Sequence, residues 1–351
     1  MTMPDRPENQ HYIPQFVLRL FGHGDGQGLV WRYDKTTDRI TVRSVRKSAV
    51  APDYYAINHP ARGRDVELER VFGHHENQLA PLIKQLARLE PGVHDLERDA
   101  RDAIAGHLAL QYARVPATRD QTWAMAALSV AAKTDMLLRN PEHYLARSRA
   151  VGALGTDEDL ERQRLALLAD YEARRLVVEP PPEAGLAALG LAVDGIRPIL
   201  ARMRWDIYRR GRFPYFVLGD QPVTISPPKD LPGYRGAGFA TLGVEVFAPL
   251  SPDALLVATH ESHDGRLRVV APDDRPVVPS LKHDWSLPAN ILAVLSATRY
   301  VFGRSQGDLE AVRLAIEPTV RGQRPKIRVT GMPKEWVRYL PDGFDVESVE
   351  P

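Results

Sequence analysis

His11 stands in the stretch QHYIPQFVLRLF, residues 10–21, and histidine is the side chain whose ordinary pKa lies nearest neutrality, so it is suited to act as a general base. Pro14 clashes with a helical conformation at Ile13 and holds it extended, which presents His11 and Tyr12 from a stiff arm. The carboxylate suited to orient such a base, or to hold a metal, is Asp220 in LGDQP, residues 218–222. It follows an apolar strand and precedes a rigid proline; an Asx-type turn is the competing role for it. His107, Gln111 and Arg114 are spaced by four and three, one face of a helix, and this polar stripe meets either water or a cleft. In a cleft, the planar fork of Arg114 is built to grip a carboxylate or phosphate. These residues describe acid-base hydrolysis: His11 as base, Asp220 as its partner, Gln111 and Arg114 positioning an anionic group.

Other chemistries lack their residues. The chain has no cysteine, which removes disulfides, thiolate catalysis and Cys-ligated zinc or iron-sulfur centres together. The FGHGDGQG loop, residues 21–28, has neither GxGxxG spacing nor a GK[ST] ending and reads as a flexible connection. His260-Glu261-Ser262-His263 is one residue short of HExxH, and no Gly-x-Ser-x-Gly elbow occurs. His74-His75-Glu76 sits in a helical stretch, where adjacent side chains point about 100° apart, so it reads as a solvated face. Glu245-Val246-Phe247 puts phenylalanine where a metal-nuclease core has lysine. No organic cofactor is expected. A divalent metal is the one cofactor for which His11 and Asp220 offer ligand types, without a motif that completes a ligand set, and no tightly bound structural metal is expected.

The opening HYIPQFVLRLF resembles the HYVP-type opening of a mainly bacterial family catalogued as a domain of unknown function, DUF4238. Weaker matches follow in VWRYD (30–34), DYYAI (53–57), LALQYARVP (108–116), LGDQPV (218–223), APLSP (248–252) and the segment 290–300, so the resemblance covers nearly the whole chain. It carries no activity with it. What it implies is that its polar positions His11, Tyr12, Gln111, Arg114, Asp220 and Asn290 form the site, with Tyr12, Gln111, Arg114 and Asn290 binding substrate.

The elements that must position these residues follow from periodicity. Residues 29–34 and 39–45 are rich in β-formers around the turn KTTD, a hairpin, and residues 53–57 offer another short strand. From about residue 64 to 210 apolar residues recur at the helical period, with Pro81 marking a kink or fresh start. Asp95 is placed to cap a helix ending at Ala113, and Thr156 with Asp159 makes a capping box for one reaching about Leu176. Strands return from residue 213, Asp264-Gly265 signals a hairpin between ALLVATH and RLRVVAP, a helix spans about 287–302, and KIRVT at 326–330 reads as a last strand. The expected fold is α+β, with terminal strands sharing one sheet beside a large helical middle. Its segments are an arm and hairpin (1–63), a helical part (64–210), and a β-rich part with a C-terminal helix (211–351) integrated with the first.

Composition bounds the rest. Hydrophobic residues at 44% and charged residues at 26% describe a folded globular chain rather than a disordered one. A net charge of +1 gives no global attraction to nucleic acid or an anionic membrane. The polar start MTMPDRPENQ lacks the pattern of a secretion signal, so a cytoplasmic protein without membrane contact is expected. Its substrate is then a small molecule or nucleic acid, with a phosphoester or amide as the bond cleaved. A second reading makes the chain a non-catalytic binding or stress-defence module, with HYIP as a structural latch in which His11 bonds a buried carbonyl and Tyr12 fills a pocket.

Overall fold

The computed structural model describes residues 9–24, 28–59, 63–65, 67–211, 214–228, 237–274 and 286–318. The expected strand at 326–330, and the positions 25–27 and 233–236 of two glycine-rich loops, lie outside them. Strand β1 (Asn9–His11) leads through Pro14 into helix α1 (Gln15–Leu20). Strands β2 (Leu29–Asp34), β3 (Arg39–Ser44), β4 (Val50–Pro52), β5 (Ile57–His59) and β6 (Gly63–Asp65) follow. Helices α2 (Glu67–Leu86) and α3 (Arg98–Ala113) flank β7 (Gly92–His94). Then come α4 (Pro116–Arg139), α5 (Pro141–Ala150), α6 (Asp157–Glu172), α7 (Ala187–Leu191) and α8 (Arg197–Arg202). The chain continues with β8 (Arg204–Arg209), β9 (Leu218–Gly219), β10 (Thr224–Ser226), β11 (Glu245–Ser251), β12 (Ala254–Thr259) and β13 (Leu267–Val270). Helix α9 (Ser286–Ser296), β14 (Tyr300–Gly303) and α10 (Gln306–Ala315) complete the described elements.

The fold is α+β, and strands from both ends of the chain share a sheet. The hairpin β2–β3 pairs Leu29 with Ser44 through Asp34 with Arg39, turning at Asp38, whose φ is 53°. Strand β14 then pairs antiparallel with β2, and β9 with β14, giving the order β3-β2-β14-β9. A second sheet has the order β10-β11-β12-β8-β13-β7. Trp205, Ile207, Leu256 and Val269 from its strands join Ile104, Leu108, Ala192 and Leu200 in one apolar core. A separate cluster ties the arm down. Ile13, Leu18 and Phe21 are fully buried with Val30, Tyr55 and Phe302, and each such side chain contributes about 1.5–3 kcal/mol over its exposed state. The run Glu183–Arg202 is long and apolar enough to cross a bilayer by length and composition. In this fold its Ala188, Ala192, Ile196 and Leu200 belong to the core shared with α3.

The chain divides into two units: residues 1–119 with 186–325, and residues 120–185 with 326–351. In the second, Leu138, Tyr144, Leu160 and Tyr171 form a small core, Tyr171 donating its hydroxyl to Ala131 O at 3.2 Å. The capping box at Thr156 and Asp159 is formed, and α6 ends at Glu172, where Arg174 takes a φ of 57°.

Several local expectations change. Residues 53–55 are a turn: Asp53 has a φ of 49° and its carbonyl accepts the Ala56 amide at 3.1 Å, so Tyr54 and Tyr55 are buried without strand alternation. Helix α3 starts at Arg98 behind Glu97, not at a cap by Asp95, while one helix, α2, runs through Pro81. Strands β12 and β13 are not partners, because β8 lies between them, antiparallel to the first and parallel to the second. The expected helix over 287–302 stops at Ser296, and its last residues become β14. The cause is Asp220, whose carboxylate captures the amides of Thr298, Arg299 and Tyr300 and ends the helix before a strand.

Candidate active site

Strand alternation splits the arm's residues to two sides. β1 pairs with β4, Gln10 opposite Ala51 and His11 opposite Val50. Gln10 and Tyr12 point into the core: the Gln10 side chain accepts the Tyr55 amide, the Tyr12 amide donates to Ala49 O at 3.0 Å, and the Tyr12 and Tyr54 ring centroids lie 5.7 Å apart. Tyr55 donates its hydroxyl to the His11 carbonyl at 3.2 Å, which fixes the backbone at the histidine. The His11 ring is left on the opposite side. Its Nε2 is buried without a hydrogen-bond partner among the described residues. Burial holds this imidazole below its ordinary pKa; the Val45 carbonyl and Glu76 oppose the shift, and Arg114 adds to it. At neutral pH the ring is a neutral base.

Helices α2 and α3 supply the groups around it. On α2, Glu69, Phe72, Glu76, Leu79 and Ile83 recur at steps of three and four, one face of the helix, so two glutamates interrupt an otherwise apolar stripe. Arg114, at the C-terminal cap of α3, donates from Nη1 to Glu76 Oε1 at 2.8 Å. The Arg114 side chain is 2% exposed and that of Glu76 22%, so the pair is shielded on the arginine side and open on the carboxylate side. With the Gln111 amide oxygen turned toward the guanidinium, it accepts from Arg114 Nη2 at 2.9 Å and Nε at 3.1 Å. The guanidinium also lies over the Phe72 ring, 5.5 Å from its centroid.

Two further imidazoles belong to this cluster. His75 is held below its ordinary pKa by burial, with Arg114 adding and Glu76 opposing, and its Nε2 is buried and unpartnered among the described residues. His107 is pushed down to about 3 by burial, with Arg114 and His75 adding. Its ring centroid is 5.6 Å from that of Phe16. Glu69 moves the other way: burial and the nearby Glu76 raise its carboxyl pKa, against Arg114. Neutral imidazoles and a carboxyl group pushed toward its protonated form are therefore held around one ion pair. Such opposed shifts in neighbouring groups are what acid-base chemistry requires.

The other sequence-derived candidates have different surroundings. Asp220 is buried and accepts Thr298 N at 2.7 Å, Arg299 N at 2.8 Å and Tyr300 N at 2.8 Å. Burial raises its pKa, and these amides and Lys35 oppose the rise. Lys35, itself buried, donates to Val294 O at 2.9 Å and Ala297 O at 2.6 Å and is pushed down to about 8 by burial. Asn290 accepts Val217 N at 2.9 Å and donates to Tyr215 O at 2.7 Å, stapling α9 to the segment that enters β9. The Tyr12 phenol is held far above its ordinary pKa by burial, with Asp220 and Tyr300 adding. His11, Gln111 and Arg114 thus gather around Glu76, whereas Tyr12 and Asp220 face each other's fields and Asn290 is occupied by backbone. Glu69, His75 and Glu76 were not among the sequence candidates; the signal for them was the pair of glutamates seven apart on the apolar stripe. Among the described residues no cluster of His, Asp or Glu side chains could hold a metal ion.

An α+β scaffold that shields an arginine-glutamate pair beside neutral histidines is the class defined by fold and site. Residues 9–307 match the family described as a protein of unknown function, DUF4238, and the chain belongs to that family. Neither the curated proteins nor the solved structures give a match.

Proposed function

We propose that this protein is an acid-base hydrolase in which His11 is the general base. The observation that carries the reading is the His11 Nε2: buried, without a partner among the described residues, on a ring kept neutral near a carboxylate fixed by an arginine. In this scheme His11 takes the proton of an attacking water, and the Glu76 carboxylate stabilises the imidazolium that forms. Arg114, anchored by Gln111, positions Glu76 rather than gripping the substrate. The imidazolium formed at His11 then gives that proton to the leaving group. The bond cleaved is a phosphoester or an amide. Asp220 serves by shaping the strand β14 against which the arm is built, not by touching His11.

The second reading, a non-catalytic module with HYIP as a latch, is favoured by the hydrogen bonds of Gln10 and Tyr12 and the full burial of Ile13. The two are separable by what His11 does: a ring that pins a buried carbonyl costs the fold when removed, whereas a working base costs turnover. The test is a hydrolysis screen of phosphomonoesters, phosphodiesters, esters and amides with the full chain, His11→Ala and Glu76→Gln. A general base contributes about 10²- to 10⁴-fold. Turnover of one class that falls by that factor in His11→Ala, with the fold intact by circular dichroism, supports the hydrolase; no turnover, or an unchanged rate in His11→Ala, overturns it.

A further inference from the structure

A second feature lies at the other end of α2, about 12 Å further along the helix from Glu76 by its rise per residue. There a cleft of 280 Å³ is walled by Lys84 and Arg88 near the end of α2, Arg209 from the end of β8, Arg304 after β14, the Gly24 backbone and Asp253. Four cations face it against one carboxylate. That carboxylate is already engaged, since Asp253 takes the Arg210 guanidinium at 2.5 Å. Lys84 and Arg88 have no carboxylate at ion-pair distance among the described residues, and both are exposed.

A structural explanation covers part of this set. Cations near a helix C-terminus stabilise its dipole, which accounts for Lys84 and Arg88, and Arg209 donates to the last carbonyls there, to Ala87 O at 2.6 Å. Arg304 is brought to the same space by another element, where it lies over the Tyr215 ring, 5.2 Å from its centroid, and approaches Asp253 only at a loose 4.0 Å, so its charge is not neutralised by a close carboxylate among the described residues. Like charges gathered from three elements are screened by water and salt, and an anion seated among them relieves the repulsion that remains. Gly24 has a φ of 73° and, among the described residues, no neighbour within 4 Å of where its side chain would begin.

We propose that this cleft binds a small molecule bearing phosphate groups with at least two negative charges. Guanidinium forks match tetrahedral oxyanions bidentately, and Lys84 adds a point charge. The volume is at the low end for small-ligand sites, and a chain of net charge +1 lacks the broad basic field of a nucleic-acid binder, so a compact anion fits better than a polymer. This proposal is independent of the hydrolase reading. The test is isothermal titration of the full chain with inorganic pyrophosphate, inorganic phosphate and a single-stranded oligonucleotide, at low and at physiological salt. Saturable binding, tighter for pyrophosphate than for phosphate, is expected. It should weaken at least tenfold in the double variant Lys84→Glu, Arg88→Glu, several-fold in Arg304→Gln, and less than twofold in Arg43→Glu on β3. No saturable binding of pyrophosphate, equal affinity in the cleft variants and the parent, or binding of the oligonucleotide alone would overturn it. Lys84 and Arg88 are exposed, so their exchange leaves the core intact, and Arg304→Gln gives an independent second reading of the same site.

Discussion

Acidification should act on this protein through His107. The ring is 3% exposed and its pKa is pushed down to about 3, against an ordinary value of 6.5. The folded state therefore binds fewer protons than the unfolded state between those values, and stability rises with pH across that window. It is fully present above pH 6.5 and is lost as the pH falls toward 3. At pH 5 the unfolded chain has its histidine protonated and the folded chain does not, a difference of 1.5 pH units, or about 2 kcal/mol at 1.36 kcal/mol per unit. His11 and His75, both shifted down, push in the same direction. The assay is urea unfolding of the parent and of His107→Leu at pH 7 and pH 5. Carboxylate contributions are common to both chains and cancel in the difference. The parent is expected to lose about 2 kcal/mol more than the variant over this interval; equal losses would show that His107 is not buried as a neutral group.

Asp220→Ala should destabilise the first unit by about 3 kcal/mol or more, because three backbone amides lose a buried acceptor and each costs about 1–3 kcal/mol; chemical denaturation reads it, and a loss under 1 kcal/mol would contradict the role given to this carboxylate. Thr156→Ala removes one half of the capping box of α6 and should cost about 1 kcal/mol, seen as faster amide exchange in the first turn of that helix. A truncation beginning at Gly63 removes β2 and β3 from the sheet they share with β14 and β9. It is expected to yield no cooperatively melting protein, and a soluble fragment with a sharp transition would count against the shared sheet.

What was legible in the sequence was local. The hairpin at 29–44 follows from alternation around KTTD, and the Thr156 box from two side chains three apart. What was not legible depends on partners far away in the chain. Nothing near residue 298 announces that the helix before it stops, since the carboxylate responsible lies 78 residues earlier. Asp264-Gly265 is a sound turn signal, yet the strands beside it are separated by β8, which no local pattern can reveal. At the site, the polar face of α3 was readable from spacing, but its partner Glu76 lies 38 residues away on another helix, in a triplet that looked solvated. The two glutamates on the apolar stripe of α2 were the readable clue, because carboxylates on a core face need partners.

His11 itself decides between a working group and a latch, and the direct measurement is the unfolding free energy of His11→Ala beside the parent. Its Nε2 has no hydrogen-bond partner among the described residues, and the Val45 carbonyl, which also bonds the ring, keeps the Ser48 amide at 3.1 Å after the ring is gone. A base held desolvated for chemistry should therefore cost the fold less than about 1 kcal/mol when removed, or stabilise it slightly. A loss above about 2 kcal/mol would make His11 a structural pin and contradict the catalytic assignment.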